Sequence, residues 1–158
     1  MFRELARKKQ ELPKEVCIRI LQTETRGILS VHGENGYPYG MPMNHWFDPE
    51  DGAVYFHCGR SGHRLDALQK DARVSYCVCD RGVREEGEWA WHVSSVILFG
   101  EITVIDDQEL VREITAKLSR KFTQDEAYIR QEIESYAAGT LLLRLDPVHM
   151  SGKLVKEA

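Results

Sequence analysis

The sequence predicts a mainly β chain of the α+β class, with about six antiparallel strands and peripheral helices. Three observations carry this. Segments rich in Val, Ile, Tyr and Phe recur along the chain, and most are joined by short turns of Gly, Pro, Asn and Asp. Helical periodicity is confined to four stretches: one near the N-terminus, one midway and two near the end. Short turns favour antiparallel pairing. Closing such a sheet into a small barrel removes exposed strand edges, although composition alone leaves a barrel and an open sheet equally open.

Pro13 to about Leu21 reads as the first helix, because Val16, Cys17, Ile20 and Leu21 recur at helical spacing and proline suits a first turn. Gly27 to His32 is a strand, followed by the turn-forming run Gly33-Glu34-Asn35-Gly36. Tyr37 to Phe47 reads as one second strand. Its prolines, Pro38 and Pro42, cannot donate to a ladder, so it is expected at an edge or bulged at Pro42. After the turn Asp48-Pro49-Glu50-Asp51-Gly52 comes a third strand, Ala53 to His57, and then a short helix from about Gly62 to Lys70. Arg73 to Cys79 is a fourth strand. A polar loop, Asp80 to Glu88, leads to a long strand from Trp89 to Ile105, expected to bend near Gly100. Asp106-Asp107 can start a helix reaching about Phe122, and a further helix covers about Asp125 to Ala137. Thr140 to Leu145 is the last strand, which Asp146-Pro147 is expected to interrupt.

The 158 residues suit a single domain with a substantial core. The 21 basic residues are outnumbered by 25 acidic ones, so no basic excess points to nucleic acid. No apolar run approaches the roughly 18 residues that span a bilayer. The N-terminal run Met1-Phe2-Arg3-Glu4-Leu5-Ala6-Arg7-Lys8-Lys9 lacks the apolar stretch of a secretion signal, so a cytoplasmic protein without membrane contact is expected. A reducing compartment keeps Cys17, Cys58, Cys77 and Cys79 as thiols. Cys77 and Cys79 share one face of a strand and, with Cys58, His57 and His63, could be read as a zinc site. The spacing is not a paired C-x-x-C, and buried free thiols are the simpler reading, so no metal is expected.

The segment from His57 to Leu68 holds the most chemistry. A strand runs through a glycine-bearing turn into a helix whose first residues include His63 and Arg64. The first N–H groups of a helix lack intrahelical partners and carry partial positive charge. A guanidinium there adds a full charge and a forked donor set, giving a candidate phosphate seat at a strand end. Arg60 and Ser61 lie in the same turn as secondary candidates. A His-Arg pair on a solvated helix face is the alternative reading.

Several pieces, in order, match a known pattern: Gly36-Tyr37-Pro38-Tyr39-Gly40-Met41-Pro42-Met43-Asn44, Val54-Tyr55-Phe56-His57, Gly62-His63-Arg64-Leu65-Asp66-Ala67-Leu68, Ser94 to Gly100, and Leu145 to Lys153. Together they resemble the pyridoxamine-phosphate-oxidase-like flavoproteins, or FMN-binding split barrels, and most of all their nitroimidazole-resistance (Nim-like) group. The resemblance covers about Thr25 to Lys153. It implies a six-stranded split β-barrel and a homodimer holding FMN in a cleft between subunits.

By this resemblance Met41, Pro42, Met43 and Asn44 lie along the flavin ring, through backbone groups and the Asn44 amide. Phe56 and His57 lie near the ribityl chain and ring. His63 and Arg64 hold the phosphate, with Ser61 a secondary candidate, and Ser94 and Ser95 match a segment that reaches the flavin from the long strand; adjacent residues face opposite ways, so one of the two, Ser95, is taken as the contact. His57 is a candidate contact to the flavin or to a substrate, because imidazole titrates near neutrality. Trp89 and Trp91 share a face and suit either an aromatic wall, a dimer contact or the core. The catalytic residue stays unassigned.

The implied activity is a flavin-dependent oxidoreductase. It would pass electrons from a reductant such as NAD(P)H to a small acceptor, with nitroaromatics among the acceptors considered; the flavin carries the redox chemistry. The alternative is a non-catalytic flavin- or haem-binding module, for which His57, His63 and His92 are available. Pyridoxamine phosphate oxidases proper carry a basic residue where Tyr39 stands, a Lys where Asn44 stands, and a further C-terminal segment after the point matching Lys153. Vitamin B6 oxidation is therefore not expected.

Overall fold

The computed structural model describes residues 1–157. In chain order the elements are α1 (Lys14–Thr23), β1 (Arg26–His32), β2 (Pro38–Asn44), β3 (Trp46–Phe47), β4 (Val54–Gly59), α2 (His63–Lys70), β5 (Arg73–Cys79), β6 (Trp91–Ile105), α3 (Gln108–Ser119), α4 (Glu126–Tyr136) and β7 (Thr140–Glu157). All seven strands join one antiparallel sheet in the order β2-β1-β5-β6-β7-β4-β3.

The strand count exceeds the expected six because the second strand divides at His45. β2 pairs with β1, whereas β3 pairs with β4 at the opposite end of the sheet. Hydropathy does not reveal this division, since Met43, His45 and Phe47 are all buried and alternate as in one strand. A single residue thus links the two ends of the sheet. The sheet can satisfy that link only by curling until its ends meet, and this makes the half-barrel.

The crossover residue is fully buried, and its polar atoms are met. The His45 Nε2–H donates to the Leu21 carbonyl at 2.7 Å, so Nδ1 is the acceptor, 2.8 Å from the Tyr76 hydroxyl. That hydroxyl also lies 3.0 Å from the Met43 carbonyl. The Lys121 ammonium donates to the carbonyls of His45, Glu24 and Leu21, which ties α3's end to the crossover and to the loop after α1. Burial, and secondarily the Lys121 charge, lowers the His45 pKa to about 4. The ring is therefore neutral at physiological pH.

Alternation places Leu29, Val31, Met41, Met43, Val74, Tyr76, Val78, Val96 and Leu98 inside the curl. α1 closes one end with Cys17, Ile20 and Leu21, and α2 contributes Leu65 and Leu68. β4 and the first part of β7 are buried on both faces: Phe56 and Leu143 face the main core, while Tyr55 and Leu142 pack with Val111 and Ile114 of α3. This explains why Val54-Tyr55-Phe56 and Leu141-Leu142-Leu143 read as continuous apolar runs.

β2 is an edge strand, as its prolines require, and its register with β1 is unbroken from His32↔Pro38 to Arg26↔Asn44; the bulge considered at Pro42 is absent. The irregularity lies elsewhere. β7 does not stop at Asp146-Pro147 but continues to Glu157. Pro147 lies opposite Gly100 and His149 opposite Phe99, leaving Val148 as the extra, exposed residue. A Cβ at Gly100 would run into the Asp146 carbonyl, so this position admits only glycine without backbone movement. The irregularity at Gly100, where a bend of β6 was expected, is a register shift against β7.

The His45 pKa makes stability pH-dependent with a defined sign. The imidazole titrates near 6.5 when unfolded and near 4 when folded, so its contribution is complete above pH 6.5 and is lost as pH falls from 6.5 to 4. Urea denaturation should lose about 3 kcal/mol over this interval from His45 alone. His45→Asn should be less stable at pH 7 and show a correspondingly flatter dependence.

Candidate functional site

The β4–α2 turn is built by Gly62, whose φ of 122° and ψ of 168° only glycine adopts without strain. The Gly62 carbonyl accepts from the N–H groups of Leu65 and Asp66, and no side chain caps the helix. The N–H groups of His63 and Arg64 therefore stand at its open end.

Arg64 is half-buried and reaches from α2 toward the seam where β2 and β4 approach each other. Its Nη1 donates toward the Met43 thioether, a weak acceptor, while its Nε is buried with no partner among the described residues. The guanidinium thus enters a partly dehydrated place with its Nε–H unsatisfied. This is costly unless something else supplies acceptors. An anion such as a phosphate fits that need. Arg60 differs: it is engaged by the Asp106 carboxylate at 2.6 and 2.7 Å and by the Ala138 carbonyl, so its donors are taken within the chain.

His63 is exposed and stacks on Tyr39 of β2, with ring centroids 4.2 Å apart and planes 13° apart. The stack ties the free edge strand to the start of α2. Tyr39 thus fixes the His63 ring, a role its sequence position did not suggest. His57 points outward from β4 and is exposed in the single chain. Desolvation by surrounding protein, and secondarily repulsion from Arg64, lowers its pKa, so the neutral ring is favoured at physiological pH. Ser61 is exposed in the turn.

The remaining candidates fall in three places. Met41, Met43 and Phe56 send their side chains into the core, with Phe56 edge-on to Tyr76 at 4.8 Å. Inward alternation on β2 and β4 turns these side chains to the core, and the Met43 thioether meets Arg64 there. Pro42 faces outward between them. Asn44 is half-buried; its Oδ1 accepts from Arg26 Nε at 3.0 Å, which leaves its amide N–H groups available. Ser95 lies on β6 opposite Cys79 and Lys153. His57 pairs with Leu142 of β7 and Leu142 with Ile105 of β6, so the rung of His57 lies ten residues along β6 from Ser95, roughly 33 Å. Ser95 therefore does not join His57, His63 and Arg64 within one chain.

The thiols are also separated. Cys58 faces the core, whereas Cys77 and Cys79 point outward from β5. Among the described residues no group of three or more His, Cys, Asp or Glu side chains is arranged to hold a metal ion. Trp89 and Trp91 are both exposed, so the core reading for them is set aside.

The electrostatic link from Arg64 to His57 is testable. Arg64→Leu removes a positive charge that opposes imidazolium formation, so the His57 pKa should rise. An NMR titration of the histidine ring protons checks this; an unchanged His57 midpoint would deny the coupling.

Comparison with known proteins agrees with this geometry. A search among curated proteins finds no match to this sequence. Solved structures do match. A candidate 5-nitroimidazole antibiotic resistance protein from Bacteroides thetaiotaomicron superposes with a TM-score of 0.75 at 19% identity, over 93% of this chain and 87% of that one. An FAD-binding protein from Mesorhizobium loti gives 0.64 at 19% identity, over 92% and 97%. An FAD- and haem-binding protein from Mycobacterium smegmatis gives 0.70 at 23% identity, over 92% and 73%. At such identities these matches establish the shared fold. The family model described as pyridoxamine 5'-phosphate oxidase matches residues 13–154, nearly the whole chain, and the protein therefore belongs to the pyridoxamine 5'-phosphate oxidase family.

Proposed function

We propose that the protein binds FMN at the β4–α2 turn and works as a flavin-dependent oxidoreductase. The observation that carries this reading is the half-buried Arg64 side chain, whose buried Nε has no acceptor among the described residues, beside an uncapped helix start. The phosphate is the group that satisfies it. Arg64 and the N–H groups of His63 and Arg64 hold that phosphate, with the Ser61 hydroxyl in reach of the same turn. Tyr39 keeps the His63 ring in place. The neutral His57 ring offers one N–H toward the flavin, and Asn44 offers its amide N–H groups, its oxygen being held by Arg26. Met41, Pro42 and Met43 contribute the backbone of an edge strand with no neighbour on its outer side.

When bound, the flavin supplies the redox chemistry, taking electrons from a reductant such as NAD(P)H and giving them to a small acceptor. Nitroaromatics are the acceptor class to try first, given the Bacteroides structural neighbour. Tyr39 and Asn44 stand where the vitamin B6 oxidases carry basic residues, which argues against a phosphorylated pyridoxamine substrate.

The reading includes a homodimer with the flavin between subunits. Pro42, Ile28, Cys77 and Ile97 follow one another across β2, β1, β5 and β6 on the outward face. Ile28 and Ile97 are 46% and 38% exposed, an apolar row suited to a second copy. Ser95 then belongs to the partner's site, which accounts for its separation from Arg64.

The absorbance spectrum of the purified protein is the first test. Flavin bands that bleach anaerobically with NADPH support the oxidoreductase. A bound flavin that no nicotinamide donor reduces, or a Soret band without flavin, would instead assign a non-catalytic binding module. Arg64→Ala should weaken FMN binding by about 1–3 kcal/mol, the scale of a charge-assisted hydrogen bond. Fluorescence titration measures it, and unchanged affinity would remove Arg64 from the phosphate site. Sedimentation should give a dimer, and a monomer at every concentration would refute the two-subunit site.

A further inference from the structure

A second constellation lies on the outward face, away from the β4–α2 turn. The register places Gly40, Ser30, Ser75, Phe99 and His149 on one rung across β2, β1, β5, β6 and β7. Its two halves differ in chemistry. Phe99 and His149 are near-parallel rings, with centroids 6.1 Å apart and planes 18° apart. Ser30 and Ser75 are a half-buried cross-strand pair, and neither hydroxyl has a hydrogen-bond partner among the described residues. Gly40 adds no side chain at the far end of the rung.

The N-terminal residues lie over the aromatic half. The Phe2 ring is 5.5 Å from Phe99 at 4° and 4.7 Å from His149 at 14°. Among the described residues, no hydrogen bond joins Met1–Lys9 to the sheet, so stacking is the visible hold on Phe2. Beside Phe2 and Phe99, over the two serines, is a cavity of about 480 Å³. That volume lies within the range of small-ligand pockets.

Among the described residues the rim of this cavity carries no unpaired cation, while the Glu101 carboxylate stands outside any ion pair. Arg73 at its rim is held by both oxygens of Asp71, with Glu101 opposite it on β6. His32 is 3.8 Å from the same Asp71 carboxylate. The cavity thus combines two aromatic walls, two free hydroxyls that each donate and accept, and a rim whose unpaired charge is a carboxylate, which disfavours an anion. Aromatic rings favour stacked or edge-on contact with other rings. Free hydroxyls side by side suit a group carrying both a donor and an acceptor, as a carboxamide does.

We propose that Phe2, Phe99, Ser30 and Ser75 form a binding site for a planar aromatic ring that carries no negative charge and bears a carboxamide-like polar edge. The N-terminal segment is its movable wall. This assignment does not rest on the flavin reading, since it uses none of the residues at the β4–α2 turn.

The test is titration of the full chain with nicotinamide, followed by calorimetry and by the ring-proton NMR signals of Phe99 and His149. Nicotinamide should bind and shift those signals, whereas cyclohexanecarboxamide, which lacks the aromatic ring, should not. Phe2→Ala and Ser75→Ala alter an exposed ring and a half-buried hydroxyl, so neither endangers the core. Each should weaken nicotinamide about five- to tenfold, the effect of one lost contact. The proposal is overturned if nicotinamide leaves the Phe99 and His149 signals unmoved, if cyclohexanecarboxamide binds equally, or if both variants bind like the parent. It is also overturned if Phe2→Ala alters self-association and leaves nicotinamide affinity unchanged, since the rung would then be a contact between copies.

Discussion

The structure depends on a one-residue crossover. β2 and β3 occupy opposite ends of the same seven-stranded sheet, yet only His45 separates them. No flat or gently twisted sheet meets that constraint, so the sheet must curl. The crossover then carries backbone and imidazole groups into a place without water, where unpaired polar groups are costly. Leu21, Tyr76 and Lys121 meet that cost from three different parts of the chain. The hydrogen bonds at His45 also couple α1, β5 and α3 to the closure of the curl.

The candidate site follows from the same closure. Curling brings β2 toward β4, and Arg64 reaches into their seam from the helix that β4 feeds. A protein selected only for stability would put an apolar side chain there, because a half-buried guanidinium facing one thioether leaves its buried Nε–H unsatisfied. Retaining Arg64 makes sense if an anionic ligand completes the arrangement. The Tyr39–His63 stack adds to this view, holding the edge strand and the helix start in fixed relation before any ligand arrives.

The outward face divides along its rungs. The row of Pro42, Ile28, Cys77 and Ile97 is apolar, whereas the next rung carries two serines beside two aromatic rings. One side of a single sheet can therefore offer a surface for a second copy and, one rung further, a cavity with hydrogen-bonding capacity. The Val148 bulge lies at this end of the face, where β7 absorbs Pro147 without leaving the sheet.

Much of this architecture was legible in the linear chain because its causes are local. The Arg73–Cys79 strand, the Asp107 and Asp125 caps of α3 and α4, and the edge position of β2 each follow from residue chemistry within a few positions. The turn that presents His63 and Arg64 was readable for the same reason, since Gly62 alone permits its backbone. What only the tertiary structure decided were relations between distant residues. These include the division of one apparent strand at His45, the inward aim of Met41, Met43 and Phe56, the capture of Arg60 by Asp106, the support of His63 by Tyr39, and the separation of Ser95 from Arg64. Local sequence sets backbone preference and the alternation of faces. Which face turns inward, and which charge finds a partner, depends on how the sheet curls, and that is a property of the whole chain.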